Sequence, residues 1–475
     1  MTDDEREHRT DGASGNGRDT GDARDVGDEE DHRPRYRGLT QRVAAAAPGT
    51  ALERLRDWLP TPARADAFPV SVQRRGAFSP DRLLASLFVL LGTGGILLAL
   101  GYARILTFPA PLRGWALWAV YVGLWAFVGI YAIATCIWSV EALVARRYDP
   151  PPLVYGPEDV QVRILTIAAE DVVQTTVDAL PERLDDRHVI AEDPIEVDGA
   201  TVHVVPDGFA CEATDKGRAL EWARRNVACD REWVLFLDED TIVTDFPGLP
   251  DADIAQFQEW PMYTGSLVTY WAEVLRMGYQ TELRAFARLS VPLYAWGGGI
   301  AVRQSVEDDV TWNYETLIED TVFAWLATEQ GYDYEVLDTK FRNQAPPSLG
   351  EMVAQRRRWI SGSLAREDLL PLPYRVLYVL RNVAWAFSPL SPFLVAFAGL
   401  LPETVPGVGP LRALGVAMLL FTFVWVWRGW RYYEGPSLRT LPVFLLNPVV
   451  VALHSLGAAY GLVSPAEEFQ ATEKE

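Results

Sequence analysis

WVLFLDEDTIV, residues 233–243, is the stretch on which the fold turns. Its first five residues are apolar and charge follows them, the pattern of a buried strand ending at the edge of an α/β sheet. Ligand groups gather at the carboxyl ends of such strands. Asp238 and Asp240 therefore stand where a ligand is expected. Two carboxylates separated by Glu239 offer hard oxygen donors for Mg²⁺ or Mn²⁺, and a cation held this way shares its remaining positions with substrate phosphates and water. The implied ligand is a nucleotide diphosphate. With 64 acidic residues among 475, an isolated Asp-x-Asp also reads as an ordinary solvated strand end. Its place behind an apolar run, and the motifs downstream, favour the metal.

Hydrophobic residues make up 49% of the chain and tryptophan occurs 17 times, more than an acidic soluble protein needs, so part of the chain is expected in a membrane. A net charge of −21 argues against nucleic acid as a partner, because phosphate backbones call for a basic face. Lys216, Lys340 and Lys474 are the only lysines among 43 basic residues. A lysine-poor, strongly negative surface becomes tolerable when salt screens its self-repulsion, which points to a salt-rich, halophilic cytoplasm. Cys136, Cys211 and Cys229 have no paired spacing and suggest neither zinc nor disulfides. His188 and His203 flank candidate strands and read as structural.

Residues 1–35 are acidic, glycine-rich and nearly free of apolar side chains, the composition of a disordered tail. No signal peptide is read ahead of it. A linker at 36–82 ends in Arg74, Arg75 and Arg82. Residues 83–103 and 115–140 carry no charge and are each long enough to cross a hydrocarbon core of about 30 Å. Arg113 lies between them and Arg146 and Arg147 follow, so the positive-inside rule places both ends of this hairpin, and the block 146–370, in the cytoplasm. Three more apolar runs, 382–401, 413–427 and 440–464, fill a C-terminal membrane region at 371–464, ahead of a polar tail at 465–475. Residues 372–381 have an alternative as an interfacial helix with Arg375 and Arg381 at the headgroups. The basic loop of Arg428, Arg431 and Arg439 is placed inside.

The cytoplasmic block alternates strands (160–168, 188–191, 201–205) with helices (171–180, 216–227), as in the nucleotide-binding half of a Rossmann-like fold with a mostly parallel sheet. It lacks a GxGxxG. Gly297, Gly298 and Gly299 come late and are expected to begin a strand, which argues against a dinucleotide.

After these come LIEDTVFAW at 317–325 and QRRRW at 355–359. Together with the acidic strand they resemble, over roughly 150–365, the membrane-integral family 2 glycosyltransferases of the GT-A fold, relatives of the cellulose and hyaluronan synthases. The resemblance implies an α/β GT-A domain with flanking transmembrane helices. It assigns the metal to Asp238 and Asp240, and the acceptor side to Glu319 and Asp320. It assigns the nucleotide sugar to Asp193, Lys216, Asp238, Gln355, Arg358 and Trp359. The chemistry agrees: glycosyl transfer needs a cation for the departing diphosphate and a base for the incoming hydroxyl, and Asp320 is the candidate base.

Each of these residues has a plainer alternative. Glu319 and Asp320 also suit the start of a helix at 321–330. Arg356 and Arg357 also suit the cytoplasmic flank of a membrane helix. Trp359, one helical turn from Gln355, suits either a sugar ring or an interface. The usual Pro-x-x-Asn-Glu after the first strand is here ILTIAAEDVV, leaving Glu170 and Asp171 as unsettled nucleobase contacts, and Ile318 stands where Thr is common. With IAQFQE at 254–259 and LDEDT at 237–241, these features look closest to the egghead-type β-mannosyltransferases. The expected activity is inverting, metal-dependent transfer from a UDP- or GDP-sugar to a lipid-linked or polysaccharide acceptor. A catalytically inactive membrane scaffold is the rival, and a phosphotransferase using Asp238 would leave residues 355–359 unexplained.

Overall fold

The structure is a computed structural model that describes residues 110–405, 407–433 and 440–466. The tail, the linker, the first membrane run at 83–103, Arg439 and residues 467–475 lie outside the described residues.

Helix α1 spans Ala110–Ala145, and strand β1 spans Leu153–Tyr155. Next come β2 Val160–Thr166, α2 Glu170–Asp178, β3 Asp186–Ala191, β4 Thr201–Val204, α3 Asp215–Asn226 and β5 Trp233–Asp238. These follow the expected order closely. Beyond them lie β6 Leu249–Pro250, β7 Ile254–Met262, α4 Leu267–Gln280, α5 Leu283–Phe286 and β8 Ile300–Arg303. Helix α6 is Gln304–Val310, α7 is Glu319–Glu329 and β9 is Tyr334–Gln344. The remaining helices are α8 Leu349–Ala365, α9 Leu372–Phe387, α10 Ser391–Leu400, α11 Val408–Tyr432, α12 Leu441–Leu445 and α13 Asn447–Val463.

Seven strands form one mixed sheet in the order β4-β3-β2-β5-β8-β7-β9. The first four are parallel, β8 runs against both its neighbours, and β7 and β9 are parallel to each other. Successive side chains on a strand face opposite ways. On β5, Trp233, Leu235 and Leu237 join Val173 and Val177 of α2, whereas Val234 and Phe236 join Leu220 of α3 and Val322 of α7. Both faces are therefore covered, which is why the strand reads as an unbroken apolar run. Leu165 pairs with Asp238, so β2 and β5 end at the same edge of the sheet.

Three expectations change. Gly297–Gly299 form a tight 3₁₀ turn, and the strand begins after them at Ile300. The run at 382–401 is not one span: α9 ends at Phe387, a 3₁₀ turn occupies Ser388–Leu390, and α10 starts at Ser391. Pro389 and Pro392 supply no N–H to continue a helical ladder there. The run at 440–464 divides at Leu446 into α12 and α13, with Pro448 in the first turn of α13. Among the described helices, α1 over Gly114–Ala145 and α11 are long and apolar enough to cross a membrane.

Helices α4 and α11 cross at backbone contact. A Cβ built on Gly278 would lie 1.9 Å from the Trp425 carbonyl oxygen, and one on Gly429 would lie 1.8 Å from that of Val274. Gly429→Val is expected to push the helices apart and cost about 1–3 kcal/mol or more of stability. Thermal unfolding in detergent checks this, with Gly409→Ala, which meets nothing within 4 Å, expected to stay near wild type.

Candidate active site

The acidic end of β5, Ala295 and Trp296 just ahead of the triglycine turn, and the first turn of α7 converge on one cavity of about 630 Å³, which continues along α8 to α9 and α13. Asp238, Asp240, Lys216, Glu319, Asp320, Gln355, Arg358 and Trp359 all line it. Lys216 enters from the start of α3, its Nζ 2.6 Å from Asp238 and 3.2 Å from Glu319. It links the strand carboxylate to the helix carboxylate. Asp240 is buried and its Oδ2 accepts a hydrogen bond from the Gln344 backbone N–H at 2.8 Å.

Helix α7 has Ile318 at its N-cap, with no side-chain cap. Asp320 is the second helical residue: its Oδ1 accepts from the Thr321 N–H at 2.7 Å and its Oδ2 from the Gly297 N–H at 2.6 Å. It is not in the capping position. Burial, and then the neighbouring Glu319 charge, push the Asp320 carboxyl from 3.8 up to about 7, against the pull of Lys216. Burial disfavours the Lys216 ammonium, but Asp238, Glu319 and Asp320 together outweigh it and hold it firmly charged. Burial likewise draws the Arg358 guanidinium downward, opposed by Glu319, Asp320 and Asp238.

Helix α8 is started by Ser348, whose hydroxyl accepts from the Glu351 N–H at 3.1 Å. Its three consecutive arginines go three ways. Arg358 Nη1 donates to the Leu317 carbonyl at 3.3 Å, just ahead of α7. Arg357 donates to the Ser464 carbonyl at 2.7 Å beyond α13. Arg356 is fully buried, paired with Glu273 of α4, and its guanidinium lies 4.1 Å from the centre of the Trp359 ring, with that of Arg276 at 5.5 Å. Arg356 is thus an interior partner of α4, not a cation set by topology.

Asp193 is exposed and does not line the cavity; Glu192 does, with Oε2 2.5 Å from Arg218 of α3. The alternation of strand side chains accounts for this placement. Ile190 packs with the α3 core, so Glu192, two residues on, falls on that face and Asp193 on the other. Glu170 instead accepts a hydrogen bond from the Glu196 N–H at 3.1 Å. Sequence reasoning also missed Arg276, paired with Glu259 and Glu273, and the alternative that set Arg381 at the headgroups changes, because Arg381 is buried and paired with Glu141 and Glu282. Both line the cavity between the sheet and the helices. For Arg381 the signal is a charge among the apolar neighbours of its helical face, and for Arg276 it is the spacing of Glu273 and Gln280 on the same face of α4.

A sequence profile described as glycosyl transferase family group 2 matches residues 233–453, from the acidic strand through the QRRRW helix to α13. This region resembles the family 2 glycosyltransferases. Individual enzymes are similar as well. β-1,4-Mannosyltransferase egh of Drosophila melanogaster is 26% identical over 305 residues, covering 57% of this chain and 66% of that protein. β-1,4-Mannosyltransferase bre-3 of Caenorhabditis elegans is 23% identical over 302 residues, with the same coverage. The chain thus spans just under two thirds of the length of these relatives. Among solved structures, mannosyltransferase PcManGT from Pyrobaculum calidifontis, in complex with GDP-Man and Mn²⁺, is similar at a TM-score of 0.42 and 14% identity, over 70% of this chain and 99% of that one.

Proposed function

We propose that this chain is a membrane-bound, metal-dependent, inverting glycosyltransferase of the GT-A fold. It moves a mannosyl group from a nucleotide-diphosphate donor, a UDP- or GDP-sugar, to a lipid-linked or polysaccharide acceptor. The observation that carries this reading is the convergence in one cavity of Asp238 and Asp240, at the end of β5, with Asp320 at the start of α7. The mannosyl group rests on the names of the relatives.

Asp238 and Asp240 fit a hard divalent cation: both are carboxylates at one strand end. A cation held by these two carboxylates would share its remaining positions with phosphate and water. Bound there, Mg²⁺ or Mn²⁺ supplies Lewis-acid stabilisation of the departing diphosphate. Lys216 and Arg358 add fixed positive charge toward the same group, and Gln355 and Trp359 border it on α8. Asp320 takes the proton of the acceptor hydroxyl as that oxygen attacks the anomeric carbon and the bond to the diphosphate breaks. Attack opposite the leaving group inverts the configuration. In this reading residues 146–370 form the cytoplasmic catalytic domain, residues 371–464 the C-terminal membrane region, and α1 and α11 cross the bilayer. The arm of the cavity toward α9 and α13 leads to the acceptor.

The test is a panel of sugar nucleotides offered to the detergent-purified protein in high salt. Mannosyl-nucleotide turnover with Mn²⁺ or Mg²⁺, lost in EDTA, is expected. Donor binding without turnover of any member of the panel would instead support the inactive scaffold, and full activity in EDTA would remove the metal from Asp238 and Asp240.

A further inference from the structure

We infer that Gln256, on β7, is a positioning residue for Asp320, acting through the triglycine turn; the inference rests on the reading of Asp320 as the base. Gln256 is wholly buried, and its side-chain amide is used from every side. Nε2 donates to the Trp296 carbonyl at 3.1 Å, the Gly299 carbonyl at 2.7 Å and the Phe257 carbonyl at 3.1 Å. Oε1 accepts from the Trp296 N–H at 3.0 Å and the Tyr334 hydroxyl at 3.2 Å. The amide therefore grips the turn by the residue before it and by its last residue.

On its other side the turn is fastened to α7. The Gly297 N–H donates to Asp320 Oδ2 at 2.6 Å, and the Ala295 N–H donates to Thr321 Oγ1 at 3.1 Å. The turn also runs against the donor side of the cavity. A Cβ on Gly297 would stand 2.6 Å from Lys216 Nζ and 3.1 Å from Asp320 Oδ2, and one on Gly298 would stand 2.8 Å from Asp238 Oδ2. Bare backbone is what fits between the base and the strand carboxylate. Gln256 thus sets where that backbone lies, and with it the spacing of the two halves of the site.

The consequence reaches the chemistry through one hydrogen bond. A donor aimed at a carboxylate favours its ionised form, so losing the Gly297 N–H makes Asp320 harder to ionise. The charges facing Asp320 stay in place, Glu319 on α7, Lys216 on α3, Asp238 on β5 and Arg358 on α8; the hydroxyls of Tyr334 on β9 and Tyr378 on α9 face it too, and Tyr334 alone among these groups loses a Gln256 contact. Gln256→Met removes every polar contact of the amide at similar volume. Gln258→Met is the matched control: Gln258 lies on the same strand and is buried, but its Nε2 donates to the Leu337 carbonyl at 2.9 Å, away from the turn.

The experiment is turnover against pH, with donor affinity measured on the same preparations. For Gln256→Met the acid limb is expected to move up by roughly one pH unit, and turnover at pH 7 to fall about fivefold, with donor affinity held. For Gln258→Met the limb is expected to stay. Gln256→Asn, too short by one methylene to reach both carbonyls, gives the same reading should the Met variant fail to fold. An unmoved limb in a folded Gln256 variant, alongside an inactive Asp320→Asn, overturns the role of Gln256 and leaves the base intact. An active Asp320→Asn overturns the base itself, whatever Gln256 does.

Discussion

Asp320→Asn is expected to lower sugar transfer by about 10²-fold or more, the usual scale for a general base, with donor affinity near wild type. The donor side is carried by Asp238 at the end of β5, Asp240 two residues beyond it and Lys216 on α3, none of which the substitution changes. A purely structural role predicts something else. Asp320 follows the N-cap Ile318 by two residues, and its Oδ1 contact to the Thr321 N–H survives in Asn. Only the contact of Oδ2 with Gly297 is put at risk, so a melting curve on the same preparation separates lost chemistry from lost structure. Near-normal turnover would leave the cavity without a base. The pH profile adds a sign. Because the carboxyl sits at about 7, transfer should rise as pH climbs through that value and fade below it. Stability runs the other way: the folded state keeps a proton that the unfolded state releases above 3.8, so this group favours folding less as pH approaches 7.

Asp240→Asn should weaken Mn²⁺ binding by about 10²-fold and carry turnover down with it, since one of two hard anionic donors is lost. Asn retains an oxygen for the Gln344 N–H, so the buried contact at 2.8 Å is kept and the fold with it. Direct Mn²⁺ titration followed by electron paramagnetic resonance reads the metal without relying on activity. Unchanged Mn²⁺ affinity in a folded variant would reduce Asp240 to a structural carboxylate.

The residues that meet in the cavity are legible in the sequence where they are local: Asp238 and Asp240 end an apolar run in charge, and Gln355, Arg358 and Trp359 stand in the QRRRW stretch that carries the family resemblance. What was not legible is what depends on the far side of a contact. Glu192 and Asp193 are both acids after β3, and only the packing of Ile190 on α3 tells which one turns inward. Gln256 looks like any polar residue on a strand until the triglycine turn is folded over it. Arg356 shows the same limit, since its partner Glu273 lies 83 residues away. The break at Ser388–Leu390 differs: Pro389 and Pro392 announce it, although a run without charge reads as a single span.

The proposed transfer is a single displacement in which Asp320 deprotonates the acceptor on the face opposite the diphosphate. The configuration at the anomeric carbon of the first-formed product tests it most directly, read by NMR after transfer from an α-linked mannosyl nucleotide. A β-linked mannoside is expected, and an α-linked product would rule out a single displacement.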